Sequence, residues 1–245
     1  MVIHLLSDIN KFMNYSYYNS DFKFSNEAIK WIEDTYYHPF KNTYVPYDKY
    51  ATIDTGKKLL EKKISWEGTL AIKELREYLT SWGIEPNYIG SDLAGPDVFV
   101  SNDMNKPQIG YPHIDGYKWD DINPNKRLPV LTRFNVVIKY NPNDSMFWWT
   151  DVVDGHPLVG IQNHDSLGGY QNFQYLAIKG HTGEDKWKNL GTPNEQTILY
   201  KNHQSAFLRT DCAHCVNIDA PGFRLVVALA LPYSLEQLYK NKGLI

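Results

Sequence analysis

The feature of the sequence that most constrains the fold is a change of texture at about residue 96. From that point, short apolar and β-branched runs alternate with clusters of Gly, Pro, Asn and Asp, which is typical of strands joined by turns. Nothing between these runs has the length and period of a crossover helix, so a sandwich or jelly roll is favoured over a parallel sheet. The predicted strands are residues 97–100, 131–140, 197–201, 206–211 and 224–231.

The sequence pattern of the first third of the chain predicts helices. One apolar stripe at helical spacing follows Ser65, which can cap the helix, and ends at Gly83, which suits the residue after the C-cap. A shorter helix is predicted to begin at Ser25 or Asn26 and to end before Pro39, because a residue that precedes proline is pushed out of the α region. The stripe of the longer helix consists of Ala71, Leu75, Tyr78, Leu79 and Trp82.

The chain is interpreted as a single, mainly β domain with helices. Its 245 residues, 42% of them hydrophobic, can bury a core without disulfides. Residues 1–95 are predicted to form a mainly helical N-terminal region, and residues 96–232 are predicted to form the β core. Residues 233–245 are predicted to form a C-terminal helix, whose start is indicated by the capping-box pattern Ser234-x-x-Gln237.

Composition argues against several classes of partner. The net charge of −3 and the pI of about 6.2 give no basic field, so nucleic acid is not indicated. The two cysteines, Cys212 and Cys215, cannot form a disulfide framework and fit a reducing cytosol. Residues 1–6 lack the cationic start of a signal peptide, and the longest apolar run, 225–231, is too short to cross a bilayer. We therefore expect a cytoplasmic protein without a membrane partner.

One imidazole and one carboxylate stand two residues apart in the β half, at His113 and Asp115. Side chains two apart project from the same face of a strand, so the two groups converge on one point. Gly116 follows, and its freedom in φ predicts that the chain turns away and leaves that point open. Taken alone, an H-x-D triplet is more often a surface turn or a satisfied core histidine than a metal site.

A second imidazole that can join this pair is His214, which lies after a predicted strand. Two histidines and one carboxylate on one side of a metal form the facial triad of non-haem Fe(II) oxygenases, which leaves coordination positions open. The neighbouring Cys212 and Cys215 have a spacing that zinc sites use, but no second cysteine pair exists to complete four ligands. We interpret the cysteines as core residues, and we interpret His113, Asp115 and His214 as catalytic metal ligands.

Two further polar residues, Arg224 and Asn135, lie in predicted apolar strands. On the strand that begins at Arg224, the residues of the same face are Val226, Ala228 and Ala230, whereas the other face carries larger residues. A guanidinium in the hollow that small residues leave suits a carboxylate, which it can bind with two parallel hydrogen bonds. A surface position is the plainer alternative for Arg224. The amide of Asn135 needs partners, which can be a co-substrate, water or backbone.

In order and spacing, His113-x-Asp115, His214 and Arg224 resemble the signature of the 2-oxoglutarate and Fe(II)-dependent oxygenases. In that family H-x-D is followed by a distant second histidine and then by an arginine at a similar interval. The likeness is closest to the small oxygenases of marine phages and bacteria. It covers residues 107–232 and leaves out the predicted helical third of the chain.

The resemblance implies a double-stranded β-helix (jelly roll) core flanked by helices, with Fe(II) on the triad. It also implies 2-oxoglutarate as co-substrate, bound by Arg224 and Asn135. The activity would be that of a dioxygenase that consumes O₂, hydroxylates a substrate and releases succinate and CO₂. Because Asp115 supplies a carboxylate, hydroxylation or demethylation is favoured over halogenation. Val226 departs from the family, which often has Ser or Thr there to help hold 2-oxoglutarate.

Alternatives share this β architecture. A cupin-like metal enzyme would keep the metal ligands but use no 2-oxoglutarate, so Arg224 discriminates between the two. A non-catalytic binding module would keep only the fold. The substrate is not indicated, because a small metabolite, a peptide side chain and a nucleobase all suit the polar and aromatic loops 117–128 and 152–169, which could form a lid. The oligomeric state is not indicated either.

Overall fold

The chain folds into two antiparallel sheets with a small number of helices, which confirms the predicted β-rich architecture. Cα partners across every strand pair run antiparallel, so the parallel arrangement that was disfavoured from the sequence is not found among the described strands. The computed structural model describes residues 16–39, 66–85, 97–103, 108–109, 112–119, 126–139, 145–162, 173–178, 190–197, 204–218 and 222–245.

The five-stranded sheet, called the small sheet, has a continuous ladder of neighbours. In spatial order its strands are β1 (Tyr17–Ser20), β11 (Ser205–Arg209), β6 (Thr132–Lys139), β13 (Gly222–Leu231) and β2 (Asp97–Asp103). The first strand comes from the region predicted to be mainly helical, and it pairs with β11 along its whole length.

The eight-stranded sheet, called the large sheet, has six strands in one ladder and two short strands beside it. The ladder is β10 (Glu195–Thr197), β7 (Ser145–Val153), β12 (Cys212–Ile218), β4 (His113–Trp119), β9 (Phe173–Ile178) and β8 (Val159–Gln162). Beside it, β3 (Gln108–Ile109) pairs with β12, and β5 (Arg127–Pro129) pairs with β4.

The helices are α1 (Asn26–Ile32), which continues into a π-helical segment (Glu33–Tyr37), α2 (Leu70–Thr80) and α3 (Leu235–Lys242). The predicted starts of the first and last helices are confirmed: the Ser25 hydroxyl caps α1 by accepting from the Ala28 amide at 3.2 Å, and the Ser234 hydroxyl caps α3 by accepting from the Gln237 amide at 3.2 Å. Among the described residues, no helix has both the length and the apolar character that crossing a bilayer requires.

The predicted start of α2 was wrong. Its N-cap is Thr69, whose hydroxyl accepts from the Ile72 amide at 3.2 Å, whereas Ser65 lies outside the described residues. The physical reason is a turn before the helix: Thr69 N–H donates to the Trp66 carbonyl at 3.1 Å, and Gly68 has a φ of 77°. A left-handed residue cannot belong to the helix, so the helix begins after it.

Side chains alternate between the two faces of the small sheet. Leu225 and Val227 of β13 belong to an apolar cluster that includes Leu75 of α2, whereas Val226 clusters with Trp148 of the large sheet. The helices therefore cover the outer face of the small sheet, and the large sheet covers its inner face. The predicted separation of a large-residue face from a small-residue face on β13 is confirmed.

Four of the predicted strands are found as β2, β6, β11 and β13, and β10 overlaps the fifth only at Thr197, beyond which the chain lies outside the described residues. The predicted loop 152–169 was partly wrong, because it contains the end of β7 and the strand β8. The strand β8 was missed because four residues are too few to show the alternation of apolar and polar side chains that indicates a strand.

Gly83 follows α2 and lies against Asn241 of α3, so a larger residue at this position should lower the stability of the protein. Gly83 has a φ of 71°, and a Cβ placed there would lie 3.2 Å from Asn241 Cβ and Cγ. Gly68 has a similar φ of 77°, but a Cβ placed there would meet nothing within 4 Å. We expect Gly83→Ala to lower the free energy of unfolding by about 2 kcal/mol and Gly68→Ala by about 1 kcal/mol. Urea denaturation measures both, and equal losses would contradict the close contact with Asn241.

Candidate metal centre

The central feature of the large sheet is the pairing of β4 with β12. His113 and His214 are direct Cα partners in this pairing, and their ring centroids lie 4.6 Å apart. Asp115 is two residues along β4 and points to the same face. One potential ligand atom from each of the three residues lies within 4.8 Å of the others. The three predicted ligands are therefore brought together by one sheet contact.

The strand β4 does not turn away at Gly116 as predicted. It continues through Gly116 to Trp119, and its register with β9 shifts between Asp115 and Tyr117. A bulge of this kind inserts one unpaired residue and locally bends the strand. The bend lies directly beside Asp115, so the glycine redirects the strand without ending it.

The Asp115 carboxylate is buried, with 2% of the residue exposed, and its two oxygens have different surroundings. Oδ2 accepts a hydrogen bond from Arg133 Nε. Oδ1 lies 3.5 Å from His113 Nε2, and no hydrogen-bond donor for it is found within the described part of the chain. Burial by itself would raise the pKa of Asp115, but the charge of Arg133 and the nearby His113 outweigh burial and hold that pKa well below its usual range.

The His214 ring is held by the backbone of its own strand. Its Nδ1 lies 2.9 Å from the Cys212 carbonyl oxygen, and because a carbonyl can only accept, Nδ1 carries the proton. Nε2 then keeps its lone pair for a metal. Burial, assisted by the charge of His113, lowers the pKa of His214 to about 4. The ring is therefore neutral at physiological pH, which is the form that binds metals.

The donor set suits an open metal site. His113 is more accessible than the other two ligands, with 33% of its side chain exposed, so the metal position has a route to solvent. Cys212 clusters with the inner apolar residues and Cys215 with the outer ones, so the two thiols lie on opposite faces of the sheet and cannot share a metal. Both cysteines are buried, as predicted for core residues.

The two residues predicted to bind a co-substrate lie on the small sheet. Arg224 is 4% exposed and belongs to the same face of β13 as Val226, which faces the large sheet. Asn135 of β6 is 9% exposed and is the Cα partner of Ala228. Its side-chain oxygen has no hydrogen-bond partner among the described residues. The surface alternative for Arg224 is therefore wrong, and the cofactor roles of both residues stay predictions.

Sequence analysis missed Arg133, which binds the Asp115 carboxylate from the facing sheet. The signal was present, because Arg133 directly precedes the mostly apolar run 134–138 of the same strand. A guanidinium in such a strand requires an anionic partner. What the sequence could not provide was the identity of that partner, since the two strands belong to different sheets.

Comparisons of the chain with protein-family models, with curated proteins and with solved structures gave no match.

The depressed pKa of His214 predicts that the metal-free protein loses stability as the pH falls. The unfolded histidine binds a proton below a pH of about 6.5, whereas the folded one does so only near 4, so protonation favours unfolding in this window. We expect the free energy of unfolding to fall by roughly 2 kcal/mol between pH 7 and pH 5. Urea denaturation with a chelator present measures this, and His214→Gln should remove most of the fall while His156→Gln retains it.

Proposed function

We propose that the protein is an Fe(II)- and 2-oxoglutarate-dependent dioxygenase of the double-stranded β-helix type. The single observation that carries the proposal is the convergence of His113, Asp115 and His214 on one inner face of a two-sheet fold, with Arg224 buried on the facing sheet. The first three residues offer a metal site with open positions, and the fourth offers a buried cation for a carboxylate.

The order of the strands supports a double-stranded β-helix core. Four adjacent strands of the small sheet are β11-β6-β13-β2, and four adjacent strands of the large sheet are β10-β7-β12-β4. Followed along the chain, β2, β4, β6 and β7 alternate between the two sheets, and β10, β11, β12 and β13 alternate again in the opposite sense. Each strand of the second half pairs with one of the first: β10 with β7, β11 with β6, β12 with β4 and β13 with β2. Eight strands that cross between two sheets in two such halves are what a jelly roll requires.

The donor set fits iron(II). Two imidazole nitrogens and one carboxylate oxygen form the facial triad that non-haem iron oxygenases use. Asp115 Oδ1 is a buried, charged acceptor without a hydrogen-bond donor among the described residues, which a metal would satisfy. A structural zinc site would need a fourth protein ligand, and the described His, Cys, Asp and Glu residues supply only these three at this position.

Arg224 and Asn135 fit the remaining end of a dicarboxylate. On β13, Ala230 is the Cα partner of Arg133, the residue that binds Asp115. Arg224 lies six residues before Ala230 on the same strand, so it is further along the interior than Arg133. Asn135, with its bare side-chain oxygen, lies between these two levels. A five-carbon dicarboxylate with one end at the metal would thus extend past an amide toward a guanidinium.

When bound, iron and 2-oxoglutarate would supply the oxidising chemistry that couples decarboxylation to the insertion of oxygen into a C–H bond. The chain itself has three tasks. His113, Asp115 and His214 hold the metal on one side, Arg224 orients the co-substrate, and apolar residues of the interior, among them Trp148, exclude water from the reaction.

Removing the charge of Asp115 should destroy the site. We expect Asp115→Asn to weaken Fe(II) binding at least about 100-fold, because the triad loses its only anion, and to abolish the visible charge-transfer band that Fe(II) and 2-oxoglutarate give together without oxygen. Anaerobic titration followed by absorption spectroscopy measures both. Asp151→Asn, an exposed carboxylate on β7, is the matched control and should behave as the parent protein. Normal iron binding in Asp115→Asn would rule out the triad.

Arg224 decides between the dioxygenase and the cupin-like alternative. We expect Arg224→Met to leave Fe(II) binding unchanged and to weaken 2-oxoglutarate binding about 10–100-fold, because a charge-assisted contact worth about 1.5–3 kcal/mol is lost. Release of succinate from 2-oxoglutarate in the absence of substrate provides a second readout.

The control for Arg224 is Arg209→Met. The Arg209 side chain donates through Nε to Asp211 over 2.6 Å, and it belongs to the face of β11 opposite that of Leu208, which is in the inner cluster. Two results would favour the cupin-like enzyme: a charge-transfer band that never forms although iron binds, or 2-oxoglutarate affinity that is the same in both variants. The departure at Val226 is the observation that keeps this alternative in the test.

A further inference from the structure

Arg133 is the one strong partner of the Asp115 carboxylate that the described residues provide from the opposite sheet. It extends from β6 of the small sheet, and Asp115 extends from β4 of the large sheet. The side chains are 7% and 1% exposed, respectively. The ion pair therefore crosses the interior of the sandwich and is screened from solvent on all sides.

The two carboxylate oxygens of Asp115 have different neighbours. Arg133 Nε donates to Oδ2, whereas Oδ1 is the atom that lies 3.5 Å from His113 Nε2, on the side of the other ligands. A guanidinium that binds one carboxylate oxygen offsets the negative charge there, so the other oxygen, Oδ1, is the better donor to a metal. We propose that Arg133 is a positioning residue that makes Asp115 a one-oxygen metal ligand. This inference rests on the metal site of the proposed function.

One-oxygen ligation has a consequence for the reaction. A six-coordinate metal on a facial triad keeps three open positions, and a 2-oxoglutarate chelate together with O₂ requires all three. A carboxylate that binds through both oxygens would occupy one of them. By holding Oδ2, Arg133 would leave open the metal position that O₂ requires.

A purely structural role is the competing explanation. A buried ion pair contributes little net stability compared with well-packed apolar residues, but loss of one partner strands the other charge. A structural role therefore predicts lower stability in Arg133 variants with unchanged metal ligation. A positioning role predicts changed ligation even in molecules that fold.

The test uses Co(II), whose visible spectrum reports the number and kind of its ligands. Metal-free protein is titrated with Co(II), and the dissociation constant and the spectrum at saturation are compared among the parent, Arg133→Met and Arg133→Lys. We expect Arg133→Met to bind Co(II) about 10–100-fold more weakly and to give an altered spectrum. Arg133→Lys keeps the charge without the directed Nε–H, so it should fall between the two. Arg209→Met is the control and should match the parent.

The outcomes separate this inference from the function on which it rests. Absence of Co(II) binding by the parent protein would overturn the metal site itself. Parent-like affinity and an unchanged spectrum in both Arg133 variants would overturn only the positioning role. Should the variants not fold, NMR of the Arg133 Nε–H in the parent decides: protection from solvent exchange that survives Zn(II) addition supports the inference, and its loss on Zn(II) addition overturns it.

Discussion

The pairing of β4 with β12 is the contact on which the rest of the site depends. His113 and His214 are partners across it, and the Asp115 amide donates to the Thr210 carbonyl at 3.1 Å just beyond them. A slip of one residue in either strand would turn its ligands to the outer face. The outer face is apolar and includes Ile114. A slip would therefore bury the polar ligand side chains without hydrogen-bond partners, which is strongly disfavoured. The apolar outer face therefore fixes the direction of the ligands.

The interior of the sandwich carries its charges at a cost in stability. The space between the two sheets buries three charged residues, Asp115, Arg133 and Arg224. A buried ion pair is rarely more stabilising than well-packed aliphatic side chains in the same space. The chain recovers stability on the outer face of the small sheet, where Phe134 and Phe207 pack with the helices. Among the described residues, the buried charges therefore lie inside the sandwich, and the largest apolar cluster lies outside it.

Sequence analysis predicted the β-rich class, the helix starts near Ser25 and Ser234, and the inward face of Arg224 because each depends on local periodicity or on near neighbours. It missed β12 as a strand, since histidine, cysteine and asparagine dilute the apolar pattern there. It could not identify the partner of Arg133, and it interpreted Gly116 as a turn because a glycine in a bulge and a glycine in a turn look alike in one sequence. Contacts between sheets are decided by topology, which local patterns do not encode.

The small sheet also explains why the proposed co-substrate would depend heavily on one residue. Between the level of Arg133 and that of Arg224, β13 offers only Ala228 and Val226 to the interior, and neither can donate a hydrogen bond from its side chain. Where relatives of the proposed family often add a hydroxyl two residues after the arginine, this chain has an apolar group. Within the described part of the interior, Asn135 is the polar side chain that lies between the two levels. A carboxylate at the far end of the co-substrate would then be oriented mainly by the Arg224 guanidinium. A ligand without a carboxylate there would contact mainly apolar side chains.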